Sequence, residues 1–335
     1  MSALAVRAGG GYTVTVERGA LARVGSLFAL DRRVLIVTDT GVPAAYAAAV
    51  AAACREPHIV TVPMGETGKT LPVWGHLLST MLKARFDRHD CVVAVGGGMV
   101  SDLAGFAASA YMRGIDFYIV PTTLLAQVDA SVGGKTAIDF DGVKNAVGAF
   151  WQPRGVLIDP DVLKTLSPRL AAEGLAEVIK MALTHDGALF EDLTRGLYRT
   201  DIENVILRAL TIKRDVVEQD EREQGPRRAL NFGHTLGHGI EISSNGALFH
   251  GECVALGMIP FTAPTLRPAL LSLLRDAGLP TTFAGDRAAV LAAVRHDKKF
   301  HGETVTVICV PAAGRYEERA MTMAQLTDAL RELGR

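Results

Sequence analysis

The stretch Cys91–Gly114, "CVVAVGGGMVSDLAGFAASAYMRG", sets the reading of the whole chain. Cys91–Val95 is a short apolar, β-branched run of the kind that forms a buried strand. Three glycines, Gly96–Gly98, follow it, and "SDLAGFAASAYMRG" then has helical character up to a terminating glycine. Glycine lets backbone amides approach a phosphate closely, and a helix N-terminus favours its negative charge. The pattern lies near G-x-G-x-x-G, with Ser101 at the third glycine position. A tight turn capped by Ser101 or Asp102 would carry the same residues, so the motif needs its context.

That context is a repeat of the same alternation. Arg32–Asp39, His58–Pro63, Asp116–Thr123 and Gly155–Pro160 read as further strands, with helical runs at Val42–Glu56 and Leu71–Phe86 between them. Such alternation predicts a mostly parallel sheet with helices on both faces. From Lys164 onward the periodicity is helical, broken by one late strand at Glu303–Val310 and closed by a helix over Thr322–Leu333. The expected fold class is an α/β, Rossmann-like parallel-sheet domain over residues 1–163, followed by an α-helical domain over residues 164–335, with a site in the cleft between.

The chain has 335 residues, a formal net charge of -1 and a hydrophobic fraction of 49%. Near-neutral charge argues against a nucleic-acid partner. Apolar runs of about 18 residues are absent, which argues against a membrane span. Four well-separated cysteines (Cys54, Cys91, Cys253, Cys309) form no CxxC pair and read as reduced thiols of a cytoplasmic protein.

Several segments carry candidate chemistry. "PMGETGKT" (Pro63–Thr70) is a Gly-rich loop with Glu66 and Lys69, although Pro63 replaces the first glycine a Walker A loop needs. "PTTLLAQVDASVGGKTAIDFDGVKN" (Pro121–Asn145) reads as a long polar loop whose lysines suit phosphate capture. In "AEGLAEVIK", Glu177 and Lys180 interrupt an apolar helix, where charges are paired with each other on the surface or bind something. "NFGHTLGHGI" and "FHGE" place His234, His238 and His250 within a short span. With Glu177 they suit a divalent metal with an open position for substrate. Helical spacing alone selects His234 and His238 as the chelating pair.

Taken together, "GGGMVSDLAGFAASAYMRGIDF", "VPTTLLAQVDASVGGKTAID", "KNAVGAFWQPRGVLID", "AEVIK", "DEREQG", "LNFGHTLGHGIE", "HGECVALGM" and "DKK" make the chain resemble the 3-dehydroquinate synthases, a family of sugar phosphate cyclases. The resemblance runs in order over nearly the whole chain. It implies conversion of 3-deoxy-D-arabino-heptulosonate 7-phosphate to 3-dehydroquinate and phosphate, with catalytic NAD and one divalent metal, zinc or cobalt. The implied chemistry is transient oxidation of an alcohol, phosphate elimination, reduction and internal aldol closure.

The resemblance places the metal on Glu177, His234 and His250, and His238 with the proton transfers at the phosphate end. Catalytic roles are implied for His238, Glu223, Lys135 and Lys180. Substrate contacts are implied for Asp129, Lys135, Asn145, Lys180, Lys213, Arg227, Asn231 and Lys299 of the Lys298–Lys299 pair. Arg113 is implied to reach the neighbouring site of a homodimer. NAD contacts are implied for Asp39, Glu66, Lys69, Gly97, Gly98, Met99, Asp102, Thr122, Thr123, Lys144 and Thr165. The chain departs from the family pattern at Gly41, Trp151 and Leu170. The competing reading is another cyclase of the superfamily, such as an amino-dehydroquinate or 2-deoxy-scyllo-inosose synthase. The pair Lys213 and Arg227 speaks for a substrate with a carboxylate.

Overall fold

The computed structural model describes residues 2–223, 225–295, 300–301 and 304–334. The chain divides into two compact units, Met1–Leu166 and Ser167–Arg335.

The first unit holds nine strands: β1 (Ser2–Val6), β2 (Tyr12–Val16), β3 (Arg33–Asp39), β4 (Glu56–Val62), β5 (Cys91–Gly96), β6 (Asp116–Pro121), β7 (Lys135–Phe140), β8 (Val143–Phe150) and β9 (Gly155–Ile158). Seven of them form one sheet in the order β1-β2-β9-β6-β5-β3-β4. Every pairing in it is parallel except β1 with β2. A parallel sheet covered on both faces needs strands that are apolar throughout. Val34–Val37 and Val92–Val95 meet that requirement and are fully buried. One face packs Ile36, Val93, Val95 and Val120 against Leu21, Val24, Ala47 and Val50.

The structure revises several sequence expectations here. β1 and β2 were not foreseen. The helix expected from Val42 stops at Ala51, because Glu56 already belongs to β4. The segment read as a polar loop is a short helical turn, Ala126–Ala130, followed by the β7–β8 hairpin. The helix after β5 begins at Gly98 and ends at Ala110, so the three glycines end the strand, cap the helix and open it in turn. Met112 and Arg113 then take left-handed backbone angles, with φ of 50° and 68°, ahead of Gly114.

The second unit is built on helices. Those that matter for the site are Pro168–His185, Ile202–Gln219, His234–Ser243 and His250–Met258. The late strand is part of a three-stranded antiparallel sheet of β10 (Phe300–His301), β11 (Thr304–Ala312) and β12 (Arg315–Thr322). β12 was not foreseen, because "RYEERAMT" lacks an apolar alternation. Among the described residues no helix is long and apolar enough to cross a membrane.

Candidate metal and substrate site

Three helices of the second unit meet at glycines. A Cβ built on Gly257 would stand 1.9 Å from the carbonyl oxygen of Gly233, and one on Gly237 would stand 3.1 Å from that of Cys253. The helix His234–Ser243 and the helix His250–Met258 therefore touch backbone to backbone. A Cβ on Gly251 would stand 2.4 Å from the carbonyl oxygen of Glu173, which seats the start of the His250 helix on the helix Pro168–His185. Gly233, with φ of 78°, turns the chain into the His234 helix in a left-handed conformation that favours glycine. The His250 helix starts where the Phe249 amide donates to Glu252 Oε2 at 2.8 Å. Arg169 holds that carboxylate through two bonds of 2.7 Å, and its guanidinium lies 3.9 Å above the Phe249 ring.

This packing gathers Glu177, His234 and His250. Glu177 is 1% exposed, and its Oε1 makes no hydrogen bond. Nε2 of His234 lies 3.9 Å from Glu177 Oε1, and Nε2 of His250 lies 3.6 Å from it. These separations exceed a hydrogen bond and leave room for an ion between the three groups. Lys180, also buried, pairs with Glu177 Oε2 one turn along the same helix. Of the two sequence readings, surface pairing does not hold: the pair lies in the interior.

Burial and neighbouring charge set the three groups differently. Burial pushes His234 well below its ordinary value, and the positive charges of Lys180, His250 and His238 push the same way, so its ring is neutral. Burial would raise Glu177, but Lys180 and His250 outweigh it and hold the carboxyl ionised. Burial would lower His250, and the carboxylates of Glu177 and Glu241 outweigh that too and raise it.

Among the described residues, two groups have ligand atoms all within 4.8 Å of one another. One is Glu177, His234 and His250; the other is His238, Glu241 and His250. The His234 and His238 rings are 5.2 Å apart between centroids, as helical spacing predicts, but the first group pairs His234 with His250 instead. Glu241 was not singled out from the sequence. The available signal was its position, three residues after His238 and seven after His234, on the same helix stripe.

The substrate candidates of this unit lie close by in the chain. Lys213 and Arg227 are both buried, at 7% and 2% exposure. The backbone amide of Arg227 donates to Asp220 Oδ2 at 3.2 Å. Asn231 Nδ2 donates to Glu223 Oε1 at 2.8 Å, and Glu223 takes a left-handed φ of 59°. Lys299, with its neighbour Lys298, lies outside the described residues.

In the first unit, the cofactor candidates Gly97, Gly98, Met99, Asp102, Thr122 and Thr123 sit at the carboxyl ends of β5 and β6. The Gly-rich loop joins them: a Cβ on Gly68 would stand 3.2 Å from Met99 Cε. Lys69 is buried and its Nζ reaches Asp102 Oδ2 and Asn145 Oδ1, each at 2.5 Å. Asn145, grouped by resemblance with the substrate contacts, thus accepts from a cofactor candidate, Lys69. Its amide donates to Asp139 Oδ1 at 2.8 Å. Burial raises both Glu66 and Asp102; Lys69 opposes it at both, aided by Lys144 at Glu66 and by Lys135 at Asp102. Asp39, at the end of β3, accepts the Gly41 amide at 2.7 Å. Thr165 meets the Tyr46 hydroxyl at 3.0 Å, and Asp129 lies in the turn Ala126–Ala130.

Comparison with known proteins adds lineage to this geometry. The family model described as 3-dehydroquinate synthase N-terminal matches residues 59–173, and that described as 3-dehydroquinate synthase C-terminal matches residues 174–300. The 3-dehydroquinate synthase of Enterococcus faecalis is 43% identical over 327 residues, 91% of each chain. That of Streptococcus suis is 38% identical over 342 residues, covering 95% of this chain and 96% of its own. A crystal structure of 2-deoxy-scyllo-inosose synthase complexed with carbaglucose-6-phosphate, NAD+ and Co2+ superposes with a TM-score of 0.91 at 26% identity, over 99% of this chain and 100% of its own. The 2-epi-5-epi-valiolone synthase of Streptomyces hygroscopicus, with NAD+ and Zn2+ bound, does so with a TM-score of 0.85 at 29% identity, over 96% of both chains. On sequence identity over nearly its full length, backed by the fold, this chain belongs to the 3-dehydroquinate synthase family.

Proposed function

We propose that the chain is a carbon–oxygen lyase that converts 3-deoxy-D-arabino-heptulosonate 7-phosphate to 3-dehydroquinate and phosphate, using NAD and one divalent metal. The observation that carries this reading is the buried Glu177 carboxylate, with an oxygen lacking any hydrogen bond and two imidazole Nε2 atoms facing it at 3.9 and 3.6 Å. A donor set of two imidazoles and one carboxylate suits Zn2+ or Co2+ and leaves open positions. Gly97 and Gly98 at a helix start, with Lys69, Asp102, Thr122 and Thr123 around them, suit a dinucleotide.

When bound, the metal would supply Lewis acidity at a substrate hydroxyl, and NAD would supply reversible hydride acceptance. Glu177, His234 and His250 would hold the ion, and Lys180 balances the carboxylate charge. His238, one turn beyond His234, moves protons at the phosphate end, where a group titrating near neutrality is useful. Lys213 and Arg227 neutralise the substrate carboxylate, with Asp129, Lys135, Asn145, Asn231 and Lys299 completing the polar contacts. Glu223, held by Asn231, supplies acid–base chemistry. Asp39, Glu66, Met99, Lys144 and Thr165 serve the dinucleotide.

The working form is a homodimer in the cytoplasm, with Arg113 reaching the neighbouring site. Support comes from β8, which pairs only with β7 among the described residues and exposes Val143, Val147 and Phe150. Such an open apolar edge is normally covered.

The test is phosphate release from the heptulosonate phosphate with NAD, with and without a chelator. Release that stops on chelation and returns with Co2+ is expected; no release from the metal-loaded protein refutes the reading. The close superposition on 2-deoxy-scyllo-inosose synthase makes a hexose 6-phosphate the necessary comparison substrate. Turnover of that substrate in preference to the heptulosonate phosphate would overturn the roles given to Lys213 and Arg227.

A further inference from the structure

We propose that Glu241 is a positioning residue that aims His250 at the metal. This rests on the metal reading of Glu177, His234 and His250. Each histidine of that trio is held at Nδ1 by a different partner. His234 Nδ1 faces the Phe232 carbonyl at 3.1 Å, and His250 Nδ1 faces Glu241 Oε2 at 2.9 Å. Both partners are acceptors, so each ring donates its Nδ1–H to that partner and turns Nε2 toward Glu177, the nitrogen left to take an ion in place of a proton.

The two holders differ in kind. Phe232 offers a neutral backbone carbonyl two residues before the ligand, whereas Glu241 is a carboxylate brought from another helix. His250 stands at the first position of its own helix, where no preceding helical turn steadies it. Glu241 lies two helical turns beyond His234 on the stripe that also carries His238. One helix therefore supplies a ligand at its start and the orienting group for the next ligand near its end. A carboxylate on Nδ1 also makes Nε2 a stronger donor than a carbonyl does. Glu241 reaches His250 from the side opposite Glu177, since the two carboxylates face different ring nitrogens. That arrangement favours the orienting role over membership of the alternative cluster with His238.

The test is Co2+ binding by wild type, E241Q, E241A and E177Q, with affinity read by chelator competition and coordination read from the visible spectrum of the bound ion. Wild type should bind one Co2+ and E177Q should lose it; retention by E177Q would refute the metal reading itself. E241Q keeps an acceptor for Nδ1–H and should bind several-fold more weakly with an unchanged spectrum. E241A should bind about 10- to 100-fold more weakly. If E241A fails to fold, the isosteric E241Q decides alone. Wild-type affinity in both variants would overturn the proposal. A spectrum in E241Q that shows one ligand fewer would overturn it as well, making Glu241 a ligand.

Discussion

Replacing Gly257 by alanine tests whether the glycine seam sets the spacing of the metal ligands. The new Cβ would stand 1.9 Å from the Gly233 carbonyl oxygen, where real contacts do not fall below 3.0 Å, so the two helices must part by at least 3.0 − 1.9 = 1.1 Å. Both neighbours of that methyl are backbone, so no side chain can rotate away. Overpacking of this kind costs about 1–3 kcal/mol, and alanine's better helix propensity returns about 0.5–1 kcal/mol. For a body of this size the net loss, up to about 2.5 kcal/mol, lowers Tm by up to roughly 10 °C. Metal sites tolerate about 0.2 Å in ligand distances, so the shift of His234 against His250 should weaken Co2+ binding at least about 10-fold. Differential scanning fluorimetry and chelator competition measure the two effects. Gly75→Ala is the control: nothing lies within 4 Å of its Cβ, in the helix Leu71–Lys83, and it should raise stability slightly. Unchanged Tm and unchanged Co2+ affinity in G257A would refute the argument that this contact fixes the site.

Three further outcomes are expected. H238N should keep near wild-type metal content while phosphate release slows by at least about 10²-fold, the usual contribution of a positioned proton-transfer group; loss of the metal would show that His238 is a ligand. K180M removes the cation in direct contact with the buried Glu177, leaving only the more distant His250, and should destabilise the metal-free protein by about 1–3 kcal/mol in denaturant titration; wild-type stability would refute the interior pairing. Asp116 is held below its ordinary value of 3.8, because bonds from Arg154 and Arg32 outweigh the opposing effect of burial. Its contribution to stability is therefore complete above that ordinary value and fades as pH falls through the lower folded value. D116N should flatten the acid limb of Tm against pH, and a wild-type slope in D116N would refute the assignment.

The parallel sheet was legible because β3, β5 and β6 are buried on both faces and so carry unbroken apolar runs. β8 was not, because nearly all of it is exposed and its sequence is that of a surface loop. β1 and β12 failed for a related reason, since strands at a sheet edge need few apolar residues to stay paired; β2 lies inside the sheet, and its alternating Tyr12, Val14 and Val16 were a legible signal. In the site, local spacing found His234 and His238, since a helix sets neighbours four apart side by side. It could not find the approach of His250, which depends on Gly233, Gly237 and Gly257 letting two backbones touch. The family resemblance, not periodicity, supplied that pairing. Glu241 stayed hidden because an acidic residue near a helix end reads as solvated surface unless its partner is known.

The candidate metal ligands at positions 177, 234 and 250 all belong to Ser167–Arg335, whereas the candidate dinucleotide contacts from Asp39 to Thr165 all belong to Met1–Leu166. A ligand stabilises the folded body that binds it, by an amount set by its concentration relative to its Kd. Metal and dinucleotide are thus separate thermodynamic handles on one chain. Co2+ should delay the melting of the second unit and NAD that of the first. Hydrogen exchange measured peptide by peptide, with each ligand added alone, would map protection onto one half of the chain or the other.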